Sequence, residues 1–254
     1  MIVKNEEQWV WYALASVIQD ATQLFIYDTG SKDKTVEIIK TFPQNKIIFE
    51  QKGEVTQKQL VELRQEQLLR TKTSWFLLLD GDEVWPKNTL IKFQQKIFHA
   101  DKKKVGVVFK TRVCLGDIFH YQEEEAGRYE IGGHKGHLNI RGYKKTKNYR
   151  WHGIYPNEVY VDEYGVPLQD SKDKLIFVND YYWHLTHLQR SSVTKNPKRK
   201  LEIGFEVNPH TIPEVFYHKK PAIVPSPWIK YSSSEYIIAS ILTPIRKIKR
   251  KFFS

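Results

Sequence analysis

Short apolar runs alternate with helix-like segments through the first part of the chain. Residues 24–28, 46–50 and 74–80 are apolar or rich in β-forming side chains, and each run predicts a strand. The segments between them repeat apolar positions every three or four residues, as on one buried face of a helix. Strands that alternate with helices in this way predict an α/β fold, with a mostly parallel central sheet flanked by helices.

Each predicted helix has a recognisable beginning. Residues 1–3 form the stub of a strand, and the apolar spacing over residues 9–17 predicts the first helix. Residues 31–35 supply capping side chains for the second helix, and Thr56 can cap the third. The inner stripe of that third helix is predicted to consist of Leu60, Leu63 and Leu68.

The alternation weakens after residue 104. Residues 105–109 predict one further strand and residues 138–143 another. From residue 196 onward, prolines interrupt the chain repeatedly. We therefore expect the last part of the chain to be an irregular appendage that ends in one helix.

A cluster of carboxylates follows the apolar run at residues 74–80. That run shows no polar alternation, which predicts a central strand covered on both faces. Open α/β sheets bind ligands at the carboxyl ends of such strands. Asp80 and Asp82 are separated by Gly81, which would let a ligand approach the backbone, and this arrangement suits Mg²⁺ or Mn²⁺ carrying a nucleoside diphosphate. A polar turn that merely ends a strand is the alternative.

The bulk composition limits the class of protein. The chain has 254 residues, 41% of them hydrophobic, which is enough for one large domain with its own core. The single cysteine, Cys114, excludes an intramolecular disulfide and fits a cytoplasmic protein. No apolar run approaches about eighteen residues and no charged-then-apolar leader opens the chain, so we predict neither a transmembrane helix nor a secretory signal.

Positive charge is concentrated in three stretches. The formal net charge is +11, which favours polyanionic partners such as nucleic acid, anionic lipid or phosphorylated substrates. Near the end of the chain, basic and apolar side chains are interleaved, so we predict an amphipathic segment on an anionic membrane surface. A solvated, frayed basic tail is the alternative. The three stretches are residues 144–150, 195–200 and 246–251.

Three motifs stand in order along the chain, and together they resemble family 2 glycosyltransferases with the GT-A fold. Residues 1–15 resemble the family's first strand, its Asn-Glu turn and the helix that follows. Residues 24–35 are similar to the second strand and its acidic turn. Arg64 precedes the run that ends in the family's Asp-x-Asp sequence. The resemblance is strong to about residue 110 and thinner to about residue 190.

The resemblance implies a domain organisation and a set of ligands. A GT-A domain would occupy residues 1–190, with the nucleotide-sugar half at 1–110 and the acceptor half at 111–190. Residues 191–254 would form the basic appendage. The implied ligands are a divalent cation, Mn²⁺ or Mg²⁺, and a nucleotide-diphosphate sugar, with a UDP-sugar favoured. The implied acceptor is a glycan or a lipid-linked molecule.

By the same resemblance, polar side chains after each strand would hold the donor. Asp82 would ligate the metal directly, and Asp80 would face both the metal and the ribose. Asp28 would accept a hydrogen bond from the base or the ribose. Taken singly, side chains of these types could instead cap a helix or be solvated. The remaining nucleotide-binding residues would be Asn5, Glu6 and Arg64.

The acceptor hydroxyl must lose a proton, so the reaction needs a carboxylate base. Relatives carry a His-Glu pair after a late strand, and residues 150–158 resemble that segment with Asn157 in place of the histidine. Glu158 is therefore the predicted catalytic base, with Glu130 and Asp162 as substitutes and a structural glutamate as the alternative. Most members that resemble this chain invert the anomeric centre in one step, for which one base suffices.

Two histidines lie downstream of that segment. His184 and His187 are three residues apart, a spacing at which both could point the same way on a helix. In relatives a histidine in this neighbourhood completes the metal or diphosphate site, and we assign that role to His187. A buried or surface histidine without a ligand is the alternative. The basic stretch 195–200 is a candidate for binding the diphosphate or a phospholipid-linked acceptor, or else a solvated face.

Two other classes of protein share some of these features. A nucleotidyltransferase would normally carry a glycine-rich basic loop after its first strand, where this chain has residues 4–7, Lys-Asn-Glu-Glu. A non-enzymatic nucleic-acid binder fits the net charge, but the aromatic residues fall in apolar runs rather than among basic ones. We therefore predict a metal-dependent, inverting glycosyltransferase at the cytoplasmic face of a membrane, building a surface glycan or glycolipid and binding no nucleic acid.

Overall fold

The computed structural model describes residues 1–193 and 200–253, and side chains through residue 250 within those ranges. Lys195, Lys198 and Arg199 of the basic stretch therefore lie outside the described residues. The predicted α/β fold is confirmed. The helices are α1 (Val10–Val17), α2 (Thr35–Ile39), α3 (Gln57–Arg70), α4 (Lys87–Phe98) and α5 (Ser233–Phe253). The strands are β1 (Ile2–Val3), β2 (Leu24–Asp28), β3 (Ile47–Gln51), β4 (Trp75–Leu77), β5 (Glu83–Val84), β6 (Gly106–Val113), β7 (His120–Tyr121), β8 (Tyr129–Ile131), β9 (His134–Gly136), β10 (Leu138–Lys144), β11 (Arg150–His152), β12 (Val159–Val161), β13 (Leu175–His184) and β14 (Phe205–Glu206).

The first three strands form a parallel sheet in the order β1-β2-β3. The crossover helices α1 and α2 bury apolar residues that include Leu14, Ile38 and Ile39. Since parallel strands share one direction, the turns after β1 and β2 meet at the same edge of the sheet. This edge carries the first two motifs of the sequence.

Helix α3 begins as predicted, at Thr56. The Thr56 hydroxyl accepts a hydrogen bond from the backbone amide of Gln59 at 3.3 Å. In return, the Gln59 side-chain oxygen accepts one from the backbone amide of Thr56 at 2.8 Å. The two bonds form a capping box. Its buried face differs from the predicted one, because Leu60 and Leu63 are only half-buried while α3 packs on β1 and β11. The buried positions are Val61, Arg64, Gln67 and Leu68.

The five-stranded sheet has the order β4-β10-β6-β13-β5. Its pairings are antiparallel except for β6 with β13, so this sheet is mixed. The run at residues 74–80 is not a central strand: β4 covers only Trp75–Leu77, lies at the sheet edge and is half-buried. The interior strand β13 escaped prediction because Asn179 and Asp180 interrupt its apolar pattern. They fall where the β6 register shifts between Val178 and Tyr181.

The last part of the chain packs onto α1 and the larger sheet. The Tyr12 hydroxyl donates to the Pro225 carbonyl at 2.8 Å, and the Tyr12 ring contacts Phe216. Helix α5 is the predicted terminal helix. Its inner side includes the fully buried Ala239 and also Arg246, which donates to the Leu201 carbonyl at 2.7 Å. In the described parts of the chain, every helix is too short or too polar to cross a membrane.

Candidate active site

A cleft of about 1360 Å³ opens where the carboxyl ends of the parallel strands face the larger sheet. Most of the residues predicted from the sequence line it, although they come from distant parts of the chain. Asp28 is the exception and does not reach the cleft. The predicted residues that line it are Asn5, Glu6, Arg64, Asp80, Asp82, Glu158 and His187.

The turn after β1 is fastened to the turn after β2. Asn5 has a left-handed backbone with φ of 56°, a conformation that asparagine tolerates better than most residues. The Asn5 side-chain oxygen accepts a hydrogen bond from the backbone amide of Lys32 at 2.7 Å. The backbone amide of Asn5 donates one to the Ser31 hydroxyl at 2.9 Å. The Glu6 amide donates to the Thr35 hydroxyl at 2.8 Å. These bonds hold the turns after β1 and β2 together at one end of the cleft.

Asp28 shapes this turn from within. Its buried carboxylate accepts hydrogen bonds from the backbone amides of Gly30 at 3.2 Å and Ser31 at 3.2 Å. The acceptor oxygens predicted to meet the base or ribose are therefore used by the backbone. Asp28 thus closes the turn after β2 but does not cap α2, whose N-cap residue makes no side-chain capping bond in the described part of the chain.

Asp80 lies between two guanidinium groups. Its carboxylate is 3.0 Å from Arg141 Nη2 and 3.6 Å from Arg64 Nη2. Burial would raise the pKa of Asp80, but the positive charges of Arg141 and Arg64 outweigh burial and hold the pKa below its ordinary value. Arg141 reaches this position because β10 pairs with β4, and its carbonyl accepts a hydrogen bond from the Leu78 amide at 2.8 Å.

Asp82 faces a histidine. His184 Nε2 is 3.5 Å from Asp82 Oδ1, and Arg190 Nη1 is 3.8 Å from Asp82 Oδ2. Burial alone would raise the pKa of Asp82, but the His184 and Arg190 charges lower it overall, while Asp82 raises the pKa of His184 against the effect of burial. His184 ends strand β13, so the two histidines do not share a helix, the arrangement in which their spacing could have pointed both the same way. His187 lines the same cleft beyond the strand.

Two further carboxylates are buried behind the aspartates. Burial, together with Asp82 and Asp80, raises the pKa of Glu6 well above its ordinary value, although Arg190 lies 2.7 Å from Glu6 Oε1. Glu83 is fully buried and pairs with Arg141; burial raises its pKa to about 7. Each therefore favours its protonated form more than an exposed glutamate does.

Glu158 forms an ion pair at the rim of this cluster. Its Oε1 lies 3.0 Å from Arg64 Nε in a salt bridge. Glu158 Oε2 is buried, and no described residue forms a hydrogen bond with it. Of the two substitutes, Glu130 is exposed and lines the cleft, whereas Asp162 accepts hydrogen bonds from the Tyr164 and Val166 amides and closes a turn outside it.

The donor set fits a divalent cation carrying a diphosphate. In the ion-pair cluster around Asp80 and Asp82, five carboxylates meet four basic side chains, and an oxygen and an imidazole nitrogen face each other across 3.5 Å. Within residues 1–193 and 200–253, no group of three or more His, Cys, Asp or Glu side chains converges on a metal position. Diphosphate oxygens and water would therefore have to complete the coordination. The carboxylates are Glu6, Asp80, Asp82, Glu83 and Glu158, and the cations are Arg64, Arg141, Arg190 and His184.

Gly81 packs against the protein rather than leaving room for a ligand. A β-carbon at this position would lie 2.9 Å from Glu6 Cγ and 3.2 Å from Val3 Cγ1. The missing side chain therefore lets the turn after β1 approach the Asp80–Asp82 segment. The sequence indicated correctly that this glycine allows a close approach, but the approaching group is Glu6.

We expect Gly81→Ala to destabilise the protein by about 1–3 kcal/mol, because the added methyl group overpacks this contact. We also expect it to weaken nucleotide binding, since Glu6 and the aspartates must separate. Gly106→Ala is the matched control. Its β-carbon would overpack Leu168 and Leu175, which lie outside the cleft.

Thermal unfolding and nucleotide titration of both variants check this prediction. Both proteins should melt earlier than the wild type, and only Gly81→Ala should lose nucleotide affinity. Equal nucleotide affinities in the two variants would show that the contact between Gly81 and Glu6 does not support the site.

Sequence reasoning missed two of the arginines in this cluster. Arg141 carried a signal, a charged residue inside an apolar predicted strand, which often marks a buried ion pair. Arg190 carried none that distinguishes it from other basic residues. Its role depends on a contact with Glu6, which precedes it by 184 residues.

The amino-acid sequence matches a known protein family. The family model described as Glycosyl transferase family 2 matches residues 1–160, which is more than half of the chain. The chain belongs to glycosyltransferase family 2. This family 2 glycosyltransferase has the GT-A fold that the sequence predicted, and the nucleotidyltransferase and nucleic-acid-binder alternatives lose their support. No curated protein sequence matches the chain.

Solved structures show the fold at low sequence identity. S. aureus TarS 1-349 in complex with UDP-GlcNAc aligns with a TM-score of 0.51 and 14% identity, covering 85% of this chain and 62% of TarS 1-349. A second crystal structure of S. aureus TarS 1-349 aligns with a TM-score of 0.47 and 14% identity, covering 73% of this chain and 59% of TarS 1-349. Glucosyl-3-phosphoglycerate synthase from Mycobacterium tuberculosis, in complex with Mn²⁺ and UDP-glucose, aligns with a TM-score of 0.40 and 12% identity. The alignment covers 71% of this chain and 67% of the synthase. The family 2 glycosyltransferase thus spans about six tenths of TarS 1-349.

Proposed function

We propose that this protein transfers a sugar from a nucleoside-diphosphate donor to a glycan or lipid-linked acceptor, with inversion at the anomeric carbon and with a divalent cation. The observation that carries the proposal is the contact between Asp82 and His184, beside Asp80 and Arg64 in one cleft. Family membership supports the reaction class. UDP is the proposed nucleotide, because TarS of the same fold was solved with UDP-GlcNAc.

Asp82 and His184 are proposed as the protein ligands of Mn²⁺ or Mg²⁺. The geometry favours His184 over the predicted His187, since His184 directly faces Asp82. When bound, the cation would stabilise the negative charge that develops on the leaving diphosphate. Asp80 would face the ribose, and its two arginine partners keep its carboxylate charged and oriented.

Glu158 is proposed as the catalytic base. Arg64 holds one of its oxygens, and the other is buried without a hydrogen-bond partner among the described residues. That oxygen would accept the proton of the acceptor hydroxyl as the hydroxyl oxygen bonds to the anomeric carbon and the bond to the diphosphate breaks. A single displacement of this kind inverts the anomeric configuration.

Thermal unfolding in the presence of Mn²⁺ and a panel of UDP, GDP, dTDP and CMP tests the donor site. A nucleotide present at 100 times its Kd stabilises the folded protein by about 2.7 kcal/mol. This is a rise in Tm of about 5–10 °C for a chain of this size. We expect this rise for UDP together with Mn²⁺, and not for either alone. A folded protein whose Tm responds to none of the four nucleotides would refute the proposal.

The outer face of α5 is proposed to lie on an anionic membrane at the cytoplasmic side. Ile237, Ile241, Ile245 and Ile248 follow one side of the helix and are 57–61% exposed. Lys249 is exposed next to Ile248, whereas Arg246, Lys247 and Arg250 pair with Glu202 and Glu123. A helix with an exposed apolar stripe and flanking cations suits an anionic lipid surface.

We expect the double variant Ile241→Asp/Ile245→Asp to bind vesicles containing phosphatidylglycerol at least about tenfold more weakly than the wild type, because two apolar side chains leave the interface. Vesicle flotation measures this. Leu69→Asp, at an exposed leucine on α3, is the control and should bind as the wild type does. If the wild-type protein does not float with these vesicles at low salt, α5 has no role in membrane binding.

A further inference from the structure

The cations that line the cleft fall into two groups. At the nucleotide end, Arg64, Arg141 and Arg190 each form an ion pair with a carboxylate. Elsewhere in the same cleft lie Arg128 and Lys200. Within the described parts of the chain, neither of their charged groups has a hydrogen-bond or ion-pair partner. The cleft therefore ends in two positive charges that form no ion pair with any described residue.

Carboxylates near these two cations are already engaged by α5. Arg250, which also lines the cleft, donates to Glu123 at 2.7 Å and pairs with Glu202. Arg246 lies 3.9 Å from Glu202, and Lys247 lies 3.9 Å from Glu123. Three cations of α5 thus share two carboxylates. Little negative charge remains for Arg128 and Lys200.

The electrostatic surroundings of Lys200 agree with this distribution. Burial lowers the pKa of Lys200, and the positive charges of Arg250, Arg246 and Arg128 lower it further, against the opposing effect of Glu202. Glu130 also lines the cleft but forms no ion pair with either cation in the described part of the chain. A bound anion would relieve this repulsion between like charges.

Arg128 and Lys200 line the same cleft as Asp82 and His184, the proposed metal ligands. His137 lines the cleft, and its pKa is lowered by burial and by the charges of both Lys200 and His184. Lys200 and His184 are thus both within electrostatic range of one side chain. The positive end lies on elements of the predicted acceptor half and the appendage, so it is placed for the acceptor.

We propose that the acceptor carries a phosphate group, which Arg128 and Lys200 bind in this part of the cleft. The inference rests on the proposed glycosyltransferase function. Phosphate suits the site because it offers three acceptor oxygens and up to two negative charges to a guanidinium and an ammonium group that line the same cleft. A neutral sugar would leave both cations without a partner.

Calorimetric titration of the full chain tests this inference. The protein, saturated with UDP and Mg²⁺ so that the donor site is filled, is titrated with glucose 6-phosphate, with glucose and with dihexanoyl phosphatidate. We expect at least one phosphate to bind at least about tenfold more tightly than glucose. We expect Lys200→Gln and Arg128→Gln each to weaken that binding about 10- to 100-fold. Lys135→Gln, an exposed lysine on β9 outside the cleft, should bind as the wild type does.

The two phosphates distinguish the sources of the anion. Binding of glucose 6-phosphate that depends on Lys200 assigns a soluble sugar phosphate, and the same result with phosphatidate assigns a lipid phosphate. Equal affinity for glucose and both phosphates, or unchanged phosphate binding in both variants, would overturn the inference. UDP affinity, measured separately in the same proteins, shows whether the donor site has failed instead.

Discussion

Replacement of Asp82 by asparagine is expected to lower kcat/KM about a thousandfold and to remove the effect of Mn²⁺ on UDP binding. Asp82 is the buried carboxylate that faces His184 across 3.5 Å, and an amide is a much poorer ligand for a divalent cation. Loss of charge stabilisation on the leaving diphosphate is worth several kcal/mol, and each 1.36 kcal/mol is about tenfold in rate.

Asp180→Asn is the control for this substitution, because Asp180 forms a salt bridge with Lys92 away from the cleft. Transfer assays and UDP titrations with and without Mn²⁺ compare the two variants. If Asp82→Asn still binds UDP in a Mn²⁺-dependent way, residues other than Asp82 ligate the metal. The same measurements on His184→Gln and His187→Gln decide which histidine takes part.

Glu158→Gln is expected to lower kcat about 10²- to 10⁴-fold while UDP affinity stays within about threefold. Glutamine keeps the shape of the side chain, and its amide oxygen can still face Arg64, but it cannot take a proton. Single-turnover rates and UDP titration separate the two effects. Glu130→Gln, at the exposed carboxylate in the same cleft, is the matched comparison and is expected to keep most of its activity.

Two other outcomes would contradict the assignment of Glu158 as the base. If Glu158→Gln weakens UDP binding but leaves the single-turnover rate unchanged, then Glu158 only positions Arg64. If Glu130→Gln shows the large loss in rate, the base is Glu130. The two glutamates differ in their surroundings, since one pairs with Arg64 and the other is exposed.

Local patterns predicted several elements well. Residues 24–28 form the predicted strand, and Thr56 caps α3 with a capping box, because both depend on residues a few positions apart. The prediction of a central strand at residues 74–80 was wrong, because it took the apolar residues of that run to be covered on both faces. Strand β4 instead lies at the edge of its sheet, and periodicity cannot show where in a sheet a strand lies.

The sequence by itself determined the alternation of strands and helices in the first part of the chain, the acidic segment after β4 and the membership of family 2, since these depend on neighbouring residues and motif order. Only the tertiary structure decided which charges meet. Arg141 reaches Asp80 across 61 residues through the β4–β10 pairing, and His184 reaches Asp82 through the pairing of β13 with β5. Strand register and packing set these contacts, and the local pattern of apolar and polar residues predicts neither of them.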